Sequence, residues 1–171
     1  MLHLIPAPLH RQGLRLAHAL RRRWWRWFRV RLEGCRVLAA DGAGHVLLVR
    51  HSYGSGTWML PGGGISRGEA PLAAAQRELT EETGLSLAQP RCLAVIDEPL
   101  FGTVNRVHLV SGTVQGELRC DGRESITAKF FDPADWPSDL SSRLAAQLDG
   151  WLALRQKTQQ LERQGTLGYA K

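Results

Sequence analysis

The sequence predicts an α/β domain in which strands, one central helix, further strands and one late helix follow each other. Short runs rich in aliphatic and β-branched residues, separated by turn residues, begin at Cys35 and are typical of strands. Pro71 and Gly84 bracket the central helix, because proline suits a first turn and glycine suits the position after a helix end. An amphipathic pattern over residues 139–161 predicts the late helix, with Gly150 as its weak point.

Composition supports one such domain with an appendage. The 171 residues are 43% hydrophobic and 22% charged, which is ordinary for a globular protein able to bury a core. Cys35, Cys92 and Cys120 are widely spaced and form no CxxC pair, which argues against a disulfide framework or a zinc site. We therefore expect a protein of the reducing cytoplasm, and no apolar run approaches the ~20 residues of a membrane span.

The basic charge of the chain belongs to its N-terminal segment. Residues 1–32 hold eight of the 22 lysines and arginines and none of the 16 acids. Apolar residues recur at helical spacing in this segment, which predicts an extra amphipathic helix over residues 9–31. The apolar stripe consists of Leu9, Leu16, Leu20, Trp24 and Trp27. We treat residues 1–33 as a basic N-terminal helix outside the main domain.

Two interpretations of this N-terminal helix stay open. Arginines interleaved with tryptophans are typical of segments that bind an anionic membrane surface or nucleic acid. Alternatively, the Leu/Trp stripe packs on its own domain or on a second subunit of a homodimer. We favour packing, because apolar residues at helical spacing usually contact protein.

The strand signals predict a hairpin, a glycine-rich loop and three later strands. Residues 35–40 and 45–50 are β-rich runs joined by the turn sequence DGAG, which predicts the hairpin. The sequence WMLPGGG at residues 58–64 predicts a loop whose backbone can approach another group closely. The later strands are predicted at residues 91–97, 105–114 and 126–131.

The central helix gathers three glutamates on one face. Glu78, Glu81 and Glu82 occupy positions i, i+3 and i+4, where their like charges repel. They also lie in the last helical turn, where the helix dipole disfavours negative charge. A solvated acidic face is one interpretation, but several local rules broken together next to a glycine loop indicate a functional site. Mg²⁺ or Mn²⁺ requires hard oxygen ligands of this kind, and a bound cation removes the repulsion.

The spacing around these glutamates belongs to a longer pattern. Gly63 is followed after five residues by Glu69, and after seven more by the sequence RELTEETGL at residues 77–85. Every fixed position of this stretch resembles the signature of the MutT-like Nudix hydrolases, and the preceding LPGG resembles the usual lead-in of that family. The resemblance implies an α/β/α sandwich, with a mixed sheet between helices, over residues 34–162. A loose tail at residues 163–171 is expected to follow.

The resemblance also implies an activity and a set of site residues. The activity would be Mg²⁺- or Mn²⁺-dependent hydrolysis of the phosphoric anhydride bond in a nucleoside diphosphate derivative, such as a nucleotide, a nucleotide sugar or an ADP-ribose-like compound. Glu81 and Glu82 would be catalytic as well as metal-binding, and Glu69 and Arg77 would form a supporting pair. The implied metal ligands are Glu78, Glu81, Glu82 and the carbonyl of Gly63. Pyrophosphate hydrolysis needs the phosphate charge neutralised and a water activated, which divalent cations can supply.

Two acids compete for the role of general base. Glu124 precedes a predicted strand, at a place where the family often has a glutamate near the metals. Glu98 follows the strand at residues 91–97 and is the rival candidate, with Asp97 a weaker one. For each acid the alternative is a solvated loop position without a catalytic role.

Contacts with the substrate are predicted around residues 50–58. Tyr53 and Trp58 would stack on a base, and Arg50 would meet a phosphate. The alternative is a glycine-rich connecting loop in which Trp58 faces the core. Segments that distinguish substrate classes within the family have no clear match in this chain, so the sequence does not name the nucleotide.

Two other functions remain as alternatives. One is a nucleotide-binding module of the same fold without catalysis, against which the intact Glu78, Glu81 and Glu82 count. The other is an adaptor that associates with a membrane or with nucleic acid through residues 1–33. The metal-dependent hydrolase is the leading hypothesis, because every carboxylate of the motif is present.

Overall fold

The fold was analysed on a computed structural model. It describes residues 32–51, 56–100, 103–120 and 125–164. The predicted N-terminal helix over residues 9–31 therefore lies outside the described residues, as do residues 165–171 of the predicted C-terminal tail. The first residue of that tail, Arg163, belongs to the last helix. No helix within the described ranges is long and apolar enough to cross a membrane.

The described residues form five strands and three helices, in an order that confirms the predicted alternation. Strands precede the central helix, two long strands and one short strand follow it, and helical segments close the domain. The elements are β1 (Leu32–Ala40), β2 (Val46–His51), α1 (Pro71–Thr83), β3 (Ser86–Leu100), β4 (Thr103–Gln115), β5 (Ser125–Phe131), α2 (Ser142–Ala145) and α3 (Leu148–Arg163).

The strands form one mixed sheet in the order β3-β4-β1-β2-β5. β1 pairs with β4 in parallel along its whole length, from Leu32 opposite Asn105 to Ala40 opposite Thr113. The other neighbouring strands are antiparallel. The predicted hairpin of β1 and β2 is confirmed, and the Asp41 carboxylate closes its turn by accepting two backbone N–H groups at 2.9 Å.

The glycine-rich loop at residues 58–64 follows β2 in the sequence. In space it inserts between β1 and β2 at the end of the hairpin away from the turn. Backbone N–H groups of Cys35 and Val37 donate to the carbonyls of Gly63 and Pro61, at 2.9 and 2.8 Å. On the other side of the loop, Met59 pairs with Val49 of β2. The loop thus accepts the backbone hydrogen bonds that β1 would otherwise make with a longer β2. These bonds fix the loop backbone beside the sheet.

Helices cover both faces of the sheet, which confirms the α/β/α sandwich. On one face α1 packs against alternate residues of β1 and β2. That core contains Cys35, Val37, Leu47, Ala74, Ala75 and Leu79. On the other face α2 and α3 pack against the intervening residues. That core contains Leu38, Leu48, Leu109, Leu144, Leu148 and Trp151.

The bounds of α1 match the prediction, whereas the late helix differs from it. Pro71 is the first helical residue, and Gly84 ends the helix with φ = 72°, a conformation that favours glycine. The single late helix predicted over residues 139–161 is wrong, because α2 and α3 are separate and Gly150 lies inside α3. Backbone hydrogen bonds between Trp58 and residues 139 and 141 hold the start of the predicted helix in an extended conformation.

Candidate active site

Arg77 is the centre of the ion-pair cluster at the motif. Its guanidinium contacts Glu69 through two nitrogens, Nε at 2.8 Å and Nη2 at 3.0 Å. Nη1 lies 2.8 Å from the Glu78 carboxylate and 3.2 Å from that of Glu81. Nη2 also donates to the Gly64 carbonyl at 3.0 Å. The structure thus brings the predicted supporting residues into a bidentate pair, and this pair ties α1 to the glycine loop.

The Glu69–Arg77 pair is charged over the whole physiological range of pH. Hydrogen bonds from Arg77, and then from the Ser66 backbone N–H, lower the pKa of Glu69 to about 2. Hydrogen bonds to the carboxylate of Glu69, and then to that of Glu78, raise the pKa of Arg77. Glu69 is therefore fixed as an ion-pair partner and is not available as a general base near neutral pH.

Glycines at two positions allow the motif carboxylates to approach the loop. A Cβ atom on Gly63 would lie 2.4 Å from the Glu78 carboxylate. A Cβ atom on Gly62, which has φ = 147°, would lie 2.2 Å from the backbone oxygen of Cys35. The first contact explains why the motif needs glycine beside its glutamate, and the second explains why the preceding residue is glycine as well.

The three predicted metal-binding glutamates share one helix face but point to different surroundings. Glu78 lies against Gly63, whereas the Glu81 side chain is 60% exposed. Glu82 is 3% exposed, accepts the Gly62 N–H at 3.2 Å and lies 3.5 Å from His51 Nε2. Within the part of the chain that the structure describes, no three His, Cys, Asp or Glu side chains are arranged to hold a metal ion.

Arg50 and Trp58 lie together on the opposite face of the sheet. Trp58 is 8% exposed and places its ring edge-on to Phe131, with centroids 5.0 Å apart. The prediction that Trp58 stacks on a base is wrong, because its ring is part of the core. The Arg50 guanidinium lies 4.6 Å from the Trp58 centroid and forms an ion pair with Asp139. Tyr53 lies outside the described residues.

Glu98 differs from its predicted setting as a loop acid. It lies inside β3, is 4% exposed, and accepts from Arg36 Nη1 and Nη2 at 2.6 and 2.7 Å. Arg143 Nη1 donates to the same carboxylate at 2.9 Å. Burial raises the pKa of Glu98, but hydrogen bonding to Arg36 and the charges of both arginines outweigh it and lower the pKa. This pairing disfavours Glu98 as a general base, and Glu124 lies outside the described residues.

A cavity of about 630 Å³ adjoins the glycine loop. It lies between the N-terminal half of β1, the facing part of β4, and the helices α2 and α3. Its polar lining includes Arg36, Asn105, Ser141 and Arg143, and its apolar lining includes Met59, Leu60, Ile65, Leu144 and Trp151. The volume and the mixture of apolar walls with few polar groups are typical of a small-molecule site.

Sequence reasoning missed the arginines and the tryptophan of this cavity. The Arg36 guanidinium lies 5.9 Å from the Trp151 centroid, and Arg36 directly follows Cys35, which donates to the Gly63 carbonyl. One signal was present, because Arg36 interrupts the otherwise apolar run of residues 35–40. Pairing with Glu98, 62 positions away, is a tertiary contact that no local pattern reveals.

The sequence and the fold both match known proteins. Residues 31–153 match the NUDIX domain family. A Bacillus subtilis protein named "Putative 8-oxo-dGTP diphosphatase" is 32% identical over 106 residues, which cover 61% of this chain and 69% of the relative. A Mycobacterium tuberculosis protein named "Putative 8-oxo-dGTP diphosphatase 2" is 36% identical over 134 residues, covering 71% of this chain and 80% of the relative.

Solved structures and a further relative extend the comparison. A MutT NUDIX hydrolase from Burkholderia pseudomallei superposes with a TM-score of 0.63 and 25% identity, covering 70% of this chain and 97% of that chain. An RNA pyrophosphohydrolase from Teredinibacter turnerae is 42% identical over 89 residues, covering 52% of this chain and 49% of the relative.

Proposed function

Since the chain belongs to the NUDIX domain family and is a hydrolase of nucleotide pyrophosphate bonds, we propose that Glu78, Glu81 and Glu82 bind Mg²⁺ or Mn²⁺ for this reaction. The observation that carries the proposal is the folded motif, in which Arg77 ties Glu69 and Glu78 to the glycine loop. The motif therefore presents its carboxylates on a rigid helix beside a backbone turn.

The donor set fits a hard divalent cation. Nudix hydrolases generally use divalent metal ions, and three carboxylates on one helix face supply the oxygen ligands that Mg²⁺ or Mn²⁺ prefers. The Gly63 carbonyl accepts from Cys35 and retains a second lone pair for a further contact. When bound, such a cation neutralises phosphate charge and lowers the pKa of a coordinated water.

Arg77 competes with the metal for two of these carboxylates. Its Nη1 atom holds both Glu78 and Glu81, whereas Nε and Nη2 hold Glu69. We infer that Glu78 and Glu81 would hold a bound cation in place of their contacts with Nη1, and that the pair of Arg77 with Glu69 would remain. Arg77 is then a positioning residue that keeps α1 attached to the loop in both states.

The nucleoside part of the substrate fits the cavity beside the glycine loop. The cavity offers apolar walls that include Trp151, the amide of Asn105, and the guanidinium groups of Arg36 and Arg143. Both arginines pair with Glu98, and Glu33 also lines the cavity, so the formal charges balance. The guanidinium N–H groups that Glu98 does not use are the donors suited to a phosphate. The names of two relatives, "Putative 8-oxo-dGTP diphosphatase" and "RNA pyrophosphohydrolase", support a nucleotide as the substrate class.

Turnover of a substrate panel tests this function. The full chain with Mg²⁺ is expected to hydrolyse one or more of 8-oxo-dGTP, 5′-triphosphorylated RNA, a nucleotide sugar and ADP-ribose. Glu82→Gln should reduce kcat/KM by about 100-fold or more, whereas Glu117→Gln, a change at a side chain that is 76% exposed, should leave it unchanged. Turnover of no compound, or equal turnover by Glu82→Gln, contradicts the proposal.

Metal binding has a readout that does not depend on activity. Mg²⁺ should raise the Tm of the wild type by about 2–4 °C at saturation, because it relieves the repulsion among the glutamates. The rise should disappear in Glu82→Gln and persist in Glu117→Gln. A Tm shift without turnover would favour the nucleotide-binding module, which was the alternative from sequence.

Three predictions from sequence are retained as proposals. A hydrolase domain with N- and C-terminal appendages is retained, with its bounds moved from residues 34–162 to residues 32–163, because β1 begins at Leu32 and α3 ends at Arg163. Glu124 is the remaining candidate for the general base, and Tyr53 remains a candidate for substrate contact. Deleting residues 1–31, which leaves β1 intact, separates the interpretations of that segment, because a loss of dimers favours packing and a loss of salt-dependent vesicle or oligonucleotide binding favours an anionic surface.

A further inference from the structure

A second, smaller pocket lies between α3 and the distal part of β3 and β4. Its volume is about 50 Å³, and its lining includes Arg91, Ser111, Thr113, Arg155 and Glu162. Arg155 follows Trp151 by one helical turn, so the pocket lies beyond the large cavity along α3. Ser111 and Thr113 lie farther along β4 than Asn105, which lines the large cavity. The two spaces are therefore separate.

Arg155 is a cation without a counter-charge in this part of the chain. Its Nε atom is enclosed and has no hydrogen-bond partner, and among the described residues no ion pair involves its guanidinium. Burial lowers the pKa of Arg155, but an arginine stays protonated near neutral pH even so. The side chain is half-buried, and an enclosed N–H group without a partner costs free energy, so an anion in the pocket would offset that cost.

The rest of the lining leaves this positive charge uncompensated. Glu162 is the acid of the pocket, and it already pairs with Arg91 at 2.8 Å. The formal charge of the lining is therefore one positive, carried by Arg155. Ser111, which is 5% exposed, and Thr113 add hydroxyl groups that can donate to an anion.

A bulge in β3 shapes the wall opposite α3. Ala88 pairs with Thr113 and Arg91 pairs with Ser111, so Gln89 and the following proline face a single residue of β4. Gln89 has φ = 50°, a left-handed conformation that is unfavourable for a residue with a side chain. Bulges and backbone strain of this kind are concentrated at binding sites.

We propose that this pocket binds a small tetrahedral oxyanion, such as inorganic phosphate, on the guanidinium of Arg155. A water needs about 10–15 Å³ of such volume, so the pocket holds roughly three or four waters or one ion of this size. A nucleotide is too large for it, which makes the free ion the ligand. Guanidinium groups bind oxyanions through two parallel hydrogen bonds, and the hydroxyl groups of Ser111 and Thr113 complete the donor set.

Thermal denaturation of the full chain in the presence of a chelator tests the proposal. Phosphate at a concentration on the order of 10 mM should raise the Tm by about 2–4 °C relative to potassium chloride of equal ionic strength. Sulfate should act similarly, whereas AMP should give no rise through this site. Equal shifts with phosphate and chloride overturn the proposal.

Two methionine substitutions on α3 assign the effect to the pocket. Arg155→Met should abolish the phosphate-dependent rise, and its own Tm without phosphate should not fall, because it removes a half-buried cation whose Nε has no hydrogen-bond partner. Arg163→Met removes the same charge from the exposed end of α3 and should keep the rise. A rise that survives in Arg155→Met overturns the proposal. A second arm with Ser111→Ala should weaken the phosphate affinity, measured by calorimetry, by about threefold to tenfold.

This inference is independent of the proposed hydrolase activity. Loss of the phosphate effect in Arg155→Met, with turnover retained, supports the pocket alone. Absence of turnover with the phosphate effect retained contradicts the proposed function alone.

Discussion

Two ion-pair clusters flank the glycine loop, and their compositions are opposite. At the motif, one arginine, Arg77, serves three carboxylates. In the cavity, one carboxylate, Glu98, lies between Arg36 and Arg143. The first cluster has an excess of negative charge and partly faces solvent, whereas the second has an excess of positive charge around a buried acid.

This difference assigns complementary ligands to the two sides of the loop. A cluster with spare carboxylates attracts cations, and a cluster with spare guanidinium donors attracts phosphate groups. Both are anchored on the same short loop, because Arg77 donates to the Gly64 carbonyl and Cys35, the neighbour of Arg36, donates to the Gly63 carbonyl. Under the proposed function, a pyrophosphate with a bound cation would carry both charges and would meet both clusters at this loop.

The largest effect is expected from removing the acid of the cavity cluster. Glu98→Ala should lower the free energy of unfolding by about 3 kcal/mol, since it leaves Arg36 and Arg143 side by side without their shared counter-charge. Urea denaturation measures this change. Asp97→Ala is the matched control, because the neighbouring Asp97 pairs with Arg106 at the surface and should cost about 0.5 kcal/mol or less. Equal losses from the two substitutions would show that burial of the cluster is energetically unimportant.

A smaller effect is expected from weakening the motif cluster without removing its charge. Arg77→Lys keeps the positive charge but cannot hold Glu69 in a bidentate pair or bridge three carboxylates. We expect kcat/KM to fall by about 10-fold to 100-fold. The Mg²⁺ concentration needed for half-maximal activity should also rise, a readout that a general loss of stability would not move. Arg67→Lys, at an exposed position of the same loop, serves as the control and should behave as the wild type.

The smallest effect is a dependence on pH that distinguishes Glu69 from an exposed acid. Its pKa is lowered to about 2 in the folded state from an ordinary value of 4.5. The stabilisation is therefore fully present above about pH 4.5 and is lost as the pH falls towards 2. The difference in urea midpoint between the wild type and Glu69→Gln should follow this course. A difference that stays constant down to pH 2 would contradict the ion-pair account.

The motif could be predicted from sequence because its determinants are local. Pro71 and Gly84 set the ends of α1, and the family resemblance supplied the pair of Glu69 and Arg77, which lie eight positions apart. Glu98 was misplaced because the strand was predicted to end at Asp97, whereas β3 continues to Leu100. β3 is an edge strand, where a proline removes no required hydrogen bond, so the strand continues through Pro99.

The cavity could not be predicted, because its contacts join distant segments. Arg143 reaches Glu98 from α2, and Arg36 reaches it from β1. Trp58 was an open question for the same reason, since its neighbour Phe131 lies in β5. Periodicity shows which face of a strand is apolar. It does not show which residue of another element pairs with a charged residue in that strand, such as Arg36.

The parallel pairing of β1 with β4 also has a consequence for how the enzyme is made. Leu32 lies opposite Asn105, so β1 can pair with β4 only after more than 70 further residues have been synthesised. Pairing between such distant segments slows folding, because loop closure precedes any gain from the contacts. The glycine loop and α1 lie inside this closed segment, so recovery of activity on refolding should follow the same single rate as formation of the sheet. A stopped-flow comparison of tryptophan fluorescence with regained turnover measures both, and turnover that returns before the sheet forms would show that the motif assembles on its own.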